Sequence, residues 1–160
     1  TRTMTMQNDN PQRLDYYAAA PAQAKALGAL HSAVMQSSLP DELIELVFLR
    51  VSQINGCAYC IALHPRALAK AGVAHEKMAL TAAWREAGDA FDARERAALA
   101  FADSLTRIEE TGAADADYAP VEQQFSDQER AELGIAIATM NAFNRLAIGF
   151  RLPIPAQRTS

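Results

Sequence analysis

The amino-acid sequence predicts an all-α fold of about six or seven helices, and three observations carry that reading. Apolar residues recur three and four apart along most of the chain, and no stretch alternates apolar and polar residues as a strand does. Two patterns, Asp92-Ala-Arg-Glu95 and Ser126-Asp-Gln-Glu129, have the form of capping boxes that open helices. Alanine is abundant and 50% of the 160 residues are hydrophobic, enough for one domain with its own core.

Residues 1–13 are polar and aperiodic and read as a disordered N-terminal tail. Residues 14–150 read as a single helical domain, and 151–160 as a C-terminal tail, since Pro153 and Pro155 stop further helix. Leu14 to Gln36 reads as one helix with Pro21 in or just before its first turn, and its His31 as a surface or satisfied core residue. Ser38-Leu-Pro-Asp41 offers a Ser cap for a helix running to about Ile54. That helix is apolar on nearly all sides and therefore central, with Glu45 as its odd residue. A carboxylate there either shares a narrow solvent stripe with Glu42 or is buried, where desolvation would raise its pKa toward proton-transfer chemistry.

The next helix begins after Asn55-Gly56 and ends near Gly72, with Pro65 predicted to kink or restart it. A short helix spans about Glu76 to Trp84, with His75 on the surface before it. Asp92 opens a helix that ends near Gly112, residues 113–125 read as an acidic connector with at most one helical turn, and Ser126 opens a last helix to about Gly149. On that helix Gly134, Ala138 and Ala142 form a smooth ridge for close packing, and Asn141, Asn144 and Arg145 lie toward its end.

The chemistry concentrates in Arg50-Val-Ser-Gln-Ile-Asn-Gly-Cys-Ala-Tyr-Cys-Ile-Ala-Leu-His64, which holds both cysteines of the chain. Cys57 is predicted at the mouth of a helix and Cys60 in its first turn, where unpaired N–H groups and the helix dipole favour thiolate over thiol. His64, four residues after Cys60, shares its helix face and can move its proton. A Cys57–Cys60 disulfide closes a very short loop, the spacing of pairs that cycle. Zinc is a rival occupant, with Cys57, Cys60, His64 and Glu45 as ligands, but no companion Cys-x-x-Cys exists, and no metal or cofactor is expected. Inert buried thiols are the other alternative.

Fifteen Lys and Arg against 19 Asp and Glu give a formal charge of −4, with no basic block to track a phosphate backbone, so nucleic acid is not an expected partner. The longest uncharged runs, Ala26 to Pro40 and Val51 to Pro65, are too short to span a bilayer, and no membrane association is expected. The first residues lack the apolar core of a secretory signal, and a lone Cys-x-x-Cys suits a reducing cytoplasm, the expected location.

These residues, together with Ala-Trp84-Arg-Glu, Glu95-Arg-Ala-Ala-Leu-Ala-Phe and Asn141-Ala-Phe-Asn-Arg-Leu-Ala-Ile, resemble the AhpD-like alkylhydroperoxidases of the carboxymuconolactone decarboxylase superfamily from about Leu39 to Phe150. The resemblance rests on Cys-x-x-Cys-x3-His preceded by a glutamate twelve residues before the first cysteine, the position of Glu45. It implies an AhpD-like helical bundle assembled as trimers or hexamers, and a peroxidase without haem or metal. By position, Cys60 is implied as the thiol that attacks the hydroperoxide, Cys57 as the resolving and more exposed one, and Glu45 and His64 as a proton relay. The disulfide is then reduced by another dithiol, a lipoyl-bearing or thioredoxin-like protein. Tyr59 stands where some members have a second histidine, and Pro65 directly follows His64. General disulfide exchange and a non-enzymatic helical oligomer with metal-binding or inert thiols remain the rival readings.

Overall fold

The computed structural model describes residues 10–156, and within them the chain forms nine α-helices and no strand. Two of the nine are single turns, which is why the sequence pattern counted six or seven. The first turn, α1 (Tyr16–Ala19), is capped by Asp15, whose carboxylate accepts the N–H groups of Tyr17 and Ala18. The single helix expected from Leu14 is broken at Ala20, because a residue before proline is pushed out of the helical region. α2 (Pro21–Met35) restarts with Pro21 in the first turn, where a missing N–H costs nothing.

α3 (Asp41–Asn55) is the centre of the molecule. Ser38 does not cap it; Pro40 occupies that position, and the Ser38 hydroxyl donates to the Glu132 carboxylate instead. Ile44, Leu46, Val47, Phe48 and Val51 are wholly buried, and they face in different directions. One side packs Val47 and Phe48 with Val34, Ala98, Ile137 and Met140; the other packs Leu46 and Leu49 with Leu68, Trp84, Phe91 and Leu99. α4 (Ala58–Lys70) follows, then α5 (His75–Leu80), which tightens into a 3-10 turn over Thr81–Ala83.

α6 (Ala93–Thr106) opens on the expected capping box: Asp92 accepts the Glu95 N–H at 2.8 Å, and Glu95 accepts the Asp92 N–H at 2.9 Å. It stops earlier than expected, at Arg107, where the Thr111 hydroxyl donates to the Ser104 carbonyl at 2.7 Å; α7 (Ile108–Thr111) is a separate turn. The acidic connector is a helix, α8 (Asp115–Gln124). Its Asp115 and Asp117 occupy the first turn, where carboxylates favour a helix, and Pro120 is tolerated inside it.

α9 (Asp127–Phe150) opens on the second expected capping box. By length and composition it is long and apolar enough to cross a membrane. Here its apolar side packs on α2, α3 and α6. The packed row is not the small-residue ridge. Ala138 is exposed, and Leu133, Ala136, Ile137, Thr139, Met140, Asn144 and Ala147 are the buried positions. Parts of both supposed tails are ordered: Arg13 N–H donates to the Phe150 carbonyl at 2.9 Å, and Arg66 of α4 donates to the Pro155 carbonyl at 3.3 Å. The rest of those tails, residues 1–9 and 157–160, lies outside the described residues.

One ion pair locks α3 to α6. Arg50 Nε and Nη2 donate to the two carboxylate oxygens of Asp103 at 2.6 and 3.2 Å, and Trp84 Nε1 and Arg85 Nη2 also donate to Asp103 at 3.3 and 3.4 Å. Removing the carboxylate leaves Arg50 without its main partner in a largely buried site. Asp103→Ala is therefore expected to lower unfolding free energy by about 3 kcal/mol in urea titration, and Arg50→Ala/Asp103→Ala by less than the sum of the single changes.

Candidate active site

The end of α3 and the start of α4 are one tight junction. Gly56 has φ +70°, a left-handed conformation that favours glycine, and the Cys57 N–H reaches back to the Ser52 carbonyl at 3.0 Å in a Schellman-type closure. Cys57 is thereby the N-cap of α4. Its Sγ accepts the N–H of Cys60 at 3.3 Å, placing both thiols at the helix start, as expected from Asn55-Gly56.

Both thiols are free and buried, Cys57 at 1% and Cys60 at 4% exposure, so the expectation that Cys57 is the more exposed does not hold. The Cys60 thiol donates to the Cys57 sulfur and lowers its pKa to about 7, against the opposing effect of burial. The same hydrogen bond, together with burial, pushes the Cys60 thiol well above its ordinary value. Near pH 7 the pair is therefore about half ionised, its one negative charge shared between the two sulfurs and favoured on Cys57.

Glu45 projects from α3 and His64 from α4, and His64 Nδ1 lies 2.9 Å from Glu45 Oε2 with both side chains buried. Of the two placements left open for Glu45, burial is the one observed. An ionised carboxylate only accepts, which places the imidazole hydrogen on Nδ1 and a lone pair on Nε2. Nε2 is buried and has no hydrogen-bond partner among the described residues. α4 runs unbroken through Pro65, so His64 stays on the helix face of Cys60 and not at a restart.

The two thiols open on different cavities. Cys60 and His64 line one of about 260 Å³, walled by Tyr17, His31, Met140 and Phe143. Cys57 lines another of about 200 Å³ beside Gly56, Ala147, Ile148 and Arg151. Tyr59 borders both, and burial raises its phenol pKa, keeping it protonated.

Behind the sulfurs lies a polar ladder between α3 and α9. Asn144, wholly buried, donates to Ser52 Oγ at 3.0 Å and accepts from Asn55 Nδ2 at 3.0 Å, while Asn55 also donates to Asn141 at 2.9 Å. Asn144 also favours the charged forms of both thiols. Sequence spacing singled out Asn144 without a role and missed Ser52. His31, expected to be a surface or satisfied core residue, lines the cavity of Cys60; nothing in the spacing of its own helix links it to α4. His75, the first residue of α5, is exposed as expected. Among the described residues no group of three His, Cys, Asp or Glu side chains is arranged to hold a metal ion.

An all-helical bundle with a Cys-x-x-Cys-x3-His helix start and a buried carboxylate on its imidazole defines a protein of the AhpD-like class. More particularly, the chain belongs to the carboxymuconolactone decarboxylase family, whose model matches residues 21–104. The uncharacterized protein YdfG of Bacillus subtilis (strain 168) is 32% identical over 137 residues, 86% of this chain and 92% of YdfG. The structure of ATU0492 from Agrobacterium tumefaciens, a protein of unknown function suggested to be an antioxidant-defence AhpD, superposes with a TM-score of 0.88. It is 37% identical, covering 92% of this chain and all of the other. The debrominase Bmp8, solved with 2,3,4-tribromopyrrole, shares the fold at TM-score 0.77 and 22% identity, over 87% of this chain and 74% of its own.

The shared charge makes a direct expectation. Thiolate absorbance in the ultraviolet rises with a midpoint near pH 7 in the wild type. Cys60→Ala removes the S–H donor, and the midpoint moves up toward about 8.5, the ordinary thiol value.

Proposed function

We propose that the protein is a thiol-dependent peroxidase that reduces organic hydroperoxides through a Cys57/Cys60 dithiol–disulfide cycle, with Glu45 and His64 as its proton relay. The observation that carries this reading is His64, whose ring is held by Glu45 through Nδ1, whose Nε2 has no partner among the described residues, and which lines the cavity on which Cys60 opens. Membership of a family that includes AhpD-like proteins supports it.

His64 Nε2 takes the Cys60 proton, and the imidazolium so formed is stabilised by the Glu45 carboxylate. The Cys60 thiolate attacks the terminal oxygen of ROOH; the S–O bond forms as the O–O bond breaks, giving a sulfenic acid and an alkoxide that takes the proton back from His64. Cys57, as its thiolate, attacks the Cys60 sulfur and expels hydroxide, closing the disulfide. Sulfur is oxidised by two electrons and the peroxide reduced to alcohol and hydroxide. The lowered pKa of Cys57 suits the resolving role, since it needs no base of its own.

A dithiol partner, lipoyl-bearing or thioredoxin-like, returns the pair to thiols, and the cavity beside Cys57 offers it an approach separate from the peroxide's. Exposed Leu14, Leu30, Ile135, Ile148 and Ile154 supply apolar surface for the proposed trimer or hexamer.

Stoichiometric cumene hydroperoxide is expected to remove both free thiols of the wild type and to leave the remaining Cys57 thiol of Cys60→Ser unreacted. Thiols that survive peroxide but exchange with disulfides would instead assign general disulfide exchange. Glu45→Gln is expected to slow single-turnover peroxide consumption by on the order of 10²-fold, with circular dichroism unchanged; an unaltered rate across pH would remove Glu45 from the relay.

A further inference from the structure

The cavity on which Cys60 opens contains a second imidazole. His31, on α2, faces the cavity across from Cys60 and His64 of α4 and Met140 and Phe143 of α9. Its ring lies 5.9 Å from that of Phe48 and edge-on to Phe143 at 5.9 Å, and Phe48 in turn lies 5.5 Å from His64. The two histidines thus flank one phenyl ring. His31 makes no hydrogen bond to a described residue, so its polar atoms are free to meet whatever occupies the cavity.

The volume, about 260 Å³, far exceeds what hydrogen peroxide needs; a cavity of roughly 150 Å³ already accommodates benzene. Its walls are largely apolar and aromatic, with Cys60, His64 and His31 among the residues that line it. Burial lowers the His31 pKa, with Glu45 opposing and His64 reinforcing that shift, so the ring stays neutral; Tyr17 and Tyr59 are the other titratable groups lining the space with Cys60. A neutral imidazole presents one N–H donor and one acceptor.

Resting on the peroxidase reading above, we infer that this cavity binds a hydroperoxide with a bulky apolar tail, and that His31 contacts the substrate, donating a hydrogen bond to its alkyl-side oxygen. That oxygen becomes the alkoxide when the O–O bond breaks, so the donor stabilises charge where it develops and strengthens as the reaction proceeds. No proton is transferred by His31; His64 supplies it. Gly28, one turn before His31, leaves its part of the wall without a side chain, and a Cβ built there meets nothing within 4 Å.

The test compares wild type, His31→Phe and His31→Gln in single-turnover disulfide formation with cumene hydroperoxide, alongside exchange with a small disulfide that needs no oxygen donor. His31→Phe is expected to slow the peroxide reaction about tenfold, the loss of one hydrogen bond, while exchange is retained and His31→Gln, which keeps an N–H donor, recovers most of the rate. Gly28→Leu should lower the rate with cumene hydroperoxide relative to that with hydrogen peroxide. Equal rates in His31→Phe and wild type, or equal loss of both reactions, overturn the assignment. Should wild-type thiols ignore the peroxide, the peroxidase reading falls by itself. The cavity assignment is then decided by titrating cumyl alcohol against the His31 and His64 ring signals in NMR: saturable shifts in both, weakened in His31→Phe, uphold it, and unmoved signals overturn it.

Discussion

The burial of α3 on every side is the constraint from which the rest of the structure follows. A helix enclosed by α4, α6 and α9 has no solvent stripe wide enough for its polar side chains, and an unpaired buried polar group costs on the order of 1–3 kcal/mol. Most polar residues that α3 carries inward therefore meet a partner from a neighbour; Gln53, whose Oε1 is buried with no hydrogen-bond partner among the described residues, is the exception. Glu45 meets His64 of α4, Arg50 meets Asp103 of α6, and Ser52 meets Asn144 of α9. Satisfying a central helix thus assembles most of the site: a carboxylate on an imidazole, and an amide and a hydroxyl beside two sulfurs.

The electrostatics divide the labour between those sulfurs. Cys57 is stabilised as thiolate by the donor from Cys60 and by the helix start, and Cys60 is kept protonated until something removes its proton. In the proposed cycle the second nucleophile is ready before the first has reacted, and the histidine lone pair decides when the first is released. The fold alone does not dictate this chemistry, since a debrominase shares it; the case rests on the relay and the sulfurs of this chain.

Much of this was legible in the sequence where the signal is local. Asn55-Gly56 marks the junction, the two capping boxes mark α6 and α9, and the all-round apolar pattern marks α3 as central. Local signals failed where tertiary context won. Acidic residues and Pro120 read as a connector, but Tyr118, Val121 and Phe125 pack against the core and hold α8 together. Pro65 read as a break, yet α4 continues through it with its Leu68 wholly buried. The spacing of Cys60 and His64 is a property of one helix and could be read; the proximity of His31 depends on how α2 lies across α3 and α9, which no spacing encodes.

Gly56 contributes no side chain to the chemistry, yet both sulfurs inherit their placement from its left-handed backbone. Open space surrounds the position a Cβ would occupy, so the penalty for replacing it is conformational and not steric, about 1–2 kcal/mol for most residues and smaller for asparagine. Mutational tolerance at this corner should accordingly follow backbone preference and ignore size. A variant library screened only for retained folding would pass substitutions there that quietly turn the helix entrance, and detune the dithiol, without touching any group that reacts.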